Sequence, residues 1–153
     1  MGPTRLIYSS RRIDRAPETL NAILQTSRRN NLRDDITGVL IVSEQNFVQL
    51  LEGDRARVGW CLSRIMQDPS HDDIQIVSTN TVPYRLFPEW SMHLVETAGL
   101  RPKTLERYLI DGAFQPSLMS QVTIEDLCRM LSAETSQAGK RDLRQQLGGA
   151  QDA

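Results

Sequence analysis

The run I36-T-G-V-L-I-V42 leaves this chain little freedom. It is continuously apolar and largely β-branched, with no polar alternation, as expected of a central strand covered on both faces. The turn S43-E-Q-N46 leads into F47-V-Q-L-L-E-G53, so the two segments read as a hairpin. Upstream, L6-I-Y-S-S10 is a short strand with Leu6 and Tyr8 on one face. A16-P-E-T-L-N-A-I-L-Q-T-S27 has Pro17 at a helix start and Leu20, Ile23 and Leu24 at helical spacing. That helix is expected to end in the polar cluster S27-R-R-N-N31. Downstream, Val58, Cys61, Leu62, Ile65 and Met66 recur at i, i+3, i+4, i+7 and i+8 of an amphipathic helix. I74-Q-I-V-S78 reads as a strand, and F87-P-E-W-S-M-H-L-V95 contains a last one, with Pro88 near its start. The order βαββαββ predicts an α/β (α+β) fold: a ferredoxin-like sheet with two helices on one face.

The sheet domain is expected to occupy residues 1–95. A C-terminal helical pair follows as a two-helix appendage over 96–136. Leu105, Tyr108 and Leu109 lie on one of its helices, and Leu127, Met130 and Leu131 on a second that opens with the capping-box pattern T123-I-E-D126. From about Gln137 the composition turns polar, and 137–153 read as a frayed tail.

Composition excludes several classes of function. A net charge of −1 over 153 residues steers the chain toward neither nucleic acid nor an anionic membrane surface. No apolar run approaches the roughly 18 residues of a membrane span, and M-G-P-T-R lacks a signal-peptide core. Cys61 and Cys128 read as reduced core residues, and with only His71 and His93 besides them no zinc constellation is available. A cytoplasmic location is expected.

Against this apolar pattern one residue stands out. Alternation along F47-V-Q-L-L-E-G53 puts Phe47, Gln49 and Leu51 on one face, so an amide sits among large apolar side chains. Left unpartnered there it would cost roughly 1–3 kcal/mol. Tyr8 shares the corresponding face of the first strand, which this topology sets beside the third, and Asn31 follows a helix that packs on the sheet. Taken singly, these residues have ordinary roles: Tyr8 and Gln49 can satisfy each other, and asparagine commonly ends helices. Taken together, two carboxamides and a phenol around one gap suit a flat ligand with donors and acceptors along its edge. Ile23 and Ile65 would form its apolar walls.

Four stretches, R5-L-I-Y-S-S10, N30-N-L-R-D-D-I-T-G38, F47-V-Q-L-L-E-G53 and R85-L-F-P-E-W-S-M92, occur in the order and spacing of the BLUF family, the flavin-based blue-light sensors. Over residues 4–95 the chain resembles that family, and its appended helices resemble those of the short, stand-alone members. The resemblance implies a non-enzymatic photoreceptor that holds FAD or FMN noncovalently and signals to a separate, unidentified partner protein. It implies that Tyr8 is the electron and proton donor and Gln49 the switch beside flavin N5 and O4. Asn31 would bind the pyrimidine edge, and Ile23 and Ile65 would sandwich the ring. Asn30, Arg64 and Asp68 would contact the flavin or its side chain, with Arg29 a further candidate near the phosphate. Trp90 and Met92 match a last-strand pair that exchanges places near the glutamine. Without the resemblance, Trp90 would read as core, Trp60 as a partly exposed packing residue, and Arg64 with Asp68 as a solvated i, i+4 ion pair. The appended helices further suggest a homo-oligomer, with no nucleic acid or membrane partner.

Two other readings of the same topology remain open. An RNA-recognition module needs exposed aromatics on the central strands and a basic face, whereas the third strand offers only Phe47. A small acylphosphatase-like hydrolase needs a phosphate-cradling loop after the first strand, where S9-S-R-R-I-D14 supplies arginines but no glycine.

Overall fold

The computed structural model describes residues 2–149, with side chains described through residue 136. Strand β1 (Thr4–Arg12) leads to helix α1 (Pro17–Asp34), the hairpin β2 (Thr37–Val42) and β3 (Asn46–Gly53), helix α2 (Arg55–Met66), and strands β4 (His71–Thr81) and β5 (His93–Glu96). They form one five-stranded sheet in the order β4-β1-β3-β2-β5. All neighbours are antiparallel except β2 and β5. The expected βαββαββ order and the central pairing of the first and third strands both hold.

Burial follows the alternation read from the sequence. Leu6, Tyr8, Leu40, Phe47 and Leu51 face one side, where Leu20 and Leu24 of α1 and Val58 and Cys61 of α2 cover them. Ile7, Val39, Ile41, Val48 and Leu50 face the other. Helices α3 (Pro102–Glu106) and α4 (Gln121–Gly149) follow β5. From α4, Ile124, Leu127, Cys128 and Leu131 close the second face together with Phe87 and Tyr108. Both cysteines are free and buried. Every residue of β2 is buried, as a strand between two cores must be. At Gly38 the strands approach so closely that a β-carbon would lie 1.9 Å from the Leu50 carbonyl oxygen. No side chain but hydrogen fits there.

Several boundaries differ from the sequence reading. Helix α1 does not end within S27-R-R-N-N31 but runs through that polar cluster to Asp34. Its buried stripe of Leu20, Leu24 and Asn31 continues at helical spacing, while Gln25, Arg28 and Arg29 between them are exposed. The helix stops at Asp35, whose left-handed φ of 52° turns the chain so that the next N–H, that of Ile36, donates to the Asn31 carbonyl at 2.9 Å. The last strand starts only at His93. Before it Pro88 has no N–H, and the Phe87 N–H is taken by Glu52 at 3.2 Å, so pairing with β2 begins late and Trp90 and Met92 precede the strand. Helix α3 ends before Tyr108 and Leu109. Helix α4 begins two residues before Thr123, capped by Ser120 Oγ, which accepts from the Thr123 N–H at 3.2 Å. Its backbone is helical to Gly149. The tail expected over 137–153 falls beyond the described side chains, and 150–153 lie outside the described residues altogether.

A buried carboxylate anchors the chain between β4 and β5. Glu52 is fully buried. It accepts from Arg5 Nε at 2.8 Å and from the backbone N–H groups of Leu86 and Phe87 at 2.8 and 3.2 Å. Ser132 of α4 donates to the carbonyl of the same Leu86 at 2.6 Å. Glu52→Ala would strand a largely buried guanidinium and two N–H groups. A loss of stability on the order of 3–5 kcal/mol is expected, with Glu52→Gln milder, measured as the shift in denaturant midpoint. A Glu52→Ala midpoint equal to wild type would refute this anchoring role.

Candidate functional site

Between α1, α2 and the sheet lies a cavity of about 290 Å³. Pro17 starts α1 on one flank. On the other, the Asp54 carboxylate caps α2 by accepting from the Ala56 and Arg57 N–H groups. Each helix therefore begins at a defined point and presents a fixed face to the gap. Tyr8, Ile23, Asn30, Asn31, Gln49, Arg64, Ile65 and Asp68 all line the cavity. Arg29, Trp90 and Met92 do not. Arg29 lies on the exposed side of α1, out of phase with Asn31.

At the cavity floor Tyr8 and Gln49 stand directly opposite each other in the β1–β3 register. The Tyr8 hydroxyl donates to Gln49 Oε1. At the other end of the amide, Gln49 Nε2 donates to Met92 Sδ at 3.5 Å. Met92 is buried at 1% exposure, whereas Trp90 is 39% exposed and packs on His93 with ring centroids 4.4 Å apart. Of that pair, methionine is the one beside the glutamine. Burial, reinforced by the negative character of Cys61 and Asp68, holds the Tyr8 phenol well above its usual pKa. Tyr8 is therefore a protonated donor at any physiological pH.

Asn31 is 1% exposed. Its Nδ2 donates to the Ser91 carbonyl at 2.8 Å, and its Oδ1 receives only the weak Cys61 thiol donor at 3.7 Å. The oxygen thus keeps acceptor capacity toward the cavity. Arg64 pairs with Asp34, Nη2 to Oδ2 at 3.2 Å, and not with Asp68. Asp68 lies beyond the end of α2, and its carboxylate accepts from the Ser70 N–H at 2.9 Å. With Arg33 as the principal partner and Arg64 adding, Asp34 is held down to a pKa of about 2.

The sequence reading passed over several residues that line the cavity. His71 is locked by two bonds: Nε2 donates to the Ile65 carbonyl at 2.8 Å, and Nδ1 bonds Ser10 Oγ at 2.7 Å. Ser70 is 9% exposed, and its hydroxyl is buried with no partner. Its backbone is fixed, with the carbonyl accepting from Ile13 and Asp14 at 2.9 and 3.1 Å. Neither residue belongs to an apolar stripe, and only the tertiary fold brings them to the cavity. An orphaned hydroxyl, an asparagine oxygen with spare capacity and a tyrosine–glutamine pair, between Ile23 and Ile65, fit a planar heteroaromatic group such as a flavin. Among the described residues no cluster of His, Cys, Asp and Glu is arranged for a metal ion, and no helix is long and apolar enough to cross a membrane.

Known proteins share this fold. The solved structure described as "BlrB - a BLUF protein, dark state structure" superposes with a TM-score of 0.73 at 32% identity, covering 87% of this chain and 97% of that one. BlsA in its photo-activated state gives 0.76 at 27% identity, covering 85% and 94%. The blue light- and temperature-regulated antirepressor BluF of Escherichia coli is 33% identical over 94 residues, or 61% of this chain and 23% of that protein. The photoactivated adenylate cyclase subunit beta of Euglena gracilis is 39% identical over 74 residues, 48% of this chain and 9% of that protein. The chain thus spans less than a quarter of the length of either curated relative. The profile of the BLUF family, described as sensors of blue light using FAD, matches residues 4–93, and the chain belongs to that family of flavin-based blue-light sensors.

Proposed function

We propose that Gln49 is the switch of this sensor and Tyr8 its redox partner. The observation that carries this reading is that both ends of one buried amide are engaged, Oε1 by the Tyr8 hydroxyl and Nε2 by Met92 Sδ, at the floor of the cavity. A bound flavin supplies blue-light absorption and an excited state able to take an electron from a nearby phenol. Tyr8 gives that electron, and its hydroxyl proton leaves through the bond to Gln49. Electron and proton then return to Tyr8. During this excursion the amide, a donor at one end and an acceptor at the other, resettles with its ends exchanged, by rotation or tautomerisation, without acquiring charge. With a flavin bound, the amide's new donor would strengthen hydrogen bonding to that flavin and shift its absorption to the red. A thioether sulfur only accepts, so the exchanged amide would set its acceptor end against Met92 Sδ and lose that contact.

Binding rests on a different set. Asn31 Oδ1 accepts from the pyrimidine edge, Asn30 and the Ser70 hydroxyl add polar contacts, and Ile23 and Ile65 sandwich the ring. Arg64, Asp68 and, farther out, Arg29 meet the flavin side chain. We take FAD, named in the family description, as the flavin held; mass spectrometry of the cofactor released from purified protein decides between FAD and FMN.

Residues 1–95 form the photosensory unit in this reading, and the helices of 96–136 carry the output to a separate protein or a second copy, in the cytoplasm. Relatives described as an antirepressor and as cyclase subunits show light sensing joined to different effectors. The α4 residues that close the second face lie against β2, β3 and Phe87. Rearrangement ahead of β5 can therefore bias how the helices sit, by no more than the free-energy difference between the two arrangements. Static and dynamic light scattering in darkness and under blue light should reveal a light-dependent assembly that Met92→Ala blunts. An assembly that responds to light equally in Met92→Ala would exclude this route.

Tyr8→Phe and Gln49→Leu are each expected to retain flavin and to lose the normal light-induced red shift, read by difference spectroscopy. A normal shift in either variant would overturn the assignment. Asn31→Ala removes both the acceptor at the cavity and the bond to Ser91, and should weaken flavin retention on the order of 1–3 kcal/mol, measured by equilibrium titration of the flavin-depleted protein. Unchanged affinity would displace Asn31 from the binding set.

A further inference from the structure

Immediately before β5 three consecutive carbonyls are each taken by a donor from another element. Trp90 O accepts from the Gly38 N–H at 3.0 Å. Ser91 O accepts from Asn31 Nδ2 at 2.8 Å, and Met92 O from Arg28 Nε at 3.1 Å. Asn31 and Arg28 lie one turn apart on α1, so the helix flanking the cavity also grips the segment that carries Met92. The two grips differ in kind. Asn31 lines the cavity and would change its own bonding with the ligand, whereas Arg28 is not among the lining residues.

Met92 is thus held at two points. Its side chain rests on a long bond from a neutral amide to sulfur, which is weak. Its backbone rests on a charged guanidinium, and charge-assisted hydrogen bonds are roughly twice as strong as neutral ones. Among the described residues this is the one hydrogen bond the Arg28 side chain makes, and it joins residues 64 apart in sequence. The neighbouring His93 imidazole has its pKa lowered, by burial first and then by the charge of Arg28.

We propose that Arg28 is a positioning residue of the photoswitch: by holding the Met92 backbone it keeps the sulfur against the Gln49 amide at rest and sets how quickly the switched state returns. This rests on the Gln49 switch described above. When the amide exchanges its ends, the sulfur loses its donor, and Met92 shifts so that its carbonyl draws away from the guanidinium. Because that bond re-forms on the way back, it stabilises the transition state of the return relative to the switched state, and removing it slows recovery.

The test uses the flavin-loaded full chain with R28A, R28K, M92A and R28A/M92A. Position 28 is exposed and helical, so R28A should fold and bind flavin as wild type does. Dark return of the red-shifted absorption should slow in R28A by roughly fivefold or more, the scale of one charge-assisted bond. R28K should restore most of the rate, because an ammonium can reach the same carbonyl. In the M92A background R28A should add no further change, since the two act through one contact. The ε-methyl resonance of ¹³C-labelled Met92, recorded in darkness, should shift in R28A and return toward wild type in R28K. Unchanged or faster recovery in R28A would overturn the proposal, as would a slowing that persists undiminished in M92A. If wild type itself shows no red shift, the switch reading fails, and the Met92 methyl resonance alone decides whether Arg28 positions that residue: an unshifted resonance in R28A overturns the role.

Discussion

The register between β1 and β3 is the constraint on which the site depends. Pairing Tyr8 with Gln49 places a phenol and an amide side by side on one face of the sheet, at the base of the gap between the two helices. Side chains alternate with a period of two, so a slip of β3 by one residue would turn Gln49 into the opposite core and bring Val48 or Leu50 to the cavity opposite Tyr8. The apolar pattern on each side forbids that slip, because it would expose two cores at once. The neighbouring pair Leu40↔Gln49 extends the same row into β2. Two polar side chains are thus held on a rigid floor by the hydrophobic register of three strands.

The segment between β4 and β5 is the complement of this rigid floor. It contains little regular structure, yet both of its ends are tied. Glu52 of β3 holds the N–H groups of Leu86 and Phe87, and β2 and α1 hold the carbonyls of Trp90, Ser91 and Met92. Glu52 projects to the face of β3 opposite Gln49, so one strand carries the proposed switch on one side and an anchor for the neighbouring segment on the other. Ser132 adds a bond from α4 to the Leu86 carbonyl. This short stretch therefore touches both cores: Met92 packs in the one that contains Tyr8, and Phe87 in the one that contains Leu127. A rearrangement at Met92 has a physical route to the second face of the sheet without passing through the strands themselves.

Polar groups inside such a fold persist because each has a partner or a reason to lack one. Gln49, His71 and Glu52 are satisfied by specific donors and acceptors, and Asn31 is firmly bonded through Nδ2 only. The Ser70 hydroxyl, on a residue that lines the cavity, is buried without a partner. Cys128, by contrast, sits wholly within the second core, where burial pushes its thiol up to about 12, and it acts as a small apolar residue.

Much of this was legible in the sequence, and the physical reason is periodicity. Alternation along Phe47–Leu51, the unbroken run of β2 and the helical spacing from Val58 to Met66 each determine which face a residue presents, and face alone brings Tyr8, Gln49, Ile23 and Ile65 toward one gap. The polar residues that break the pattern, Gln49 and Tyr8, identified the site because burying them unpartnered would be costly. Periodicity does not report distance or partnership between elements. Helix α1 outran its expected end because tertiary burial of Asn31 outweighed a local run of polar residues. Only the folded chain separates Met92, facing in, from Trp90, facing out. It also pairs Arg64 with Asp34 rather than Asp68, and carries Arg28, Ser70 and His71 to positions that no local pattern marks. Those contacts join residues far apart in sequence, and they exist only once the two cores have fixed where each backbone lies.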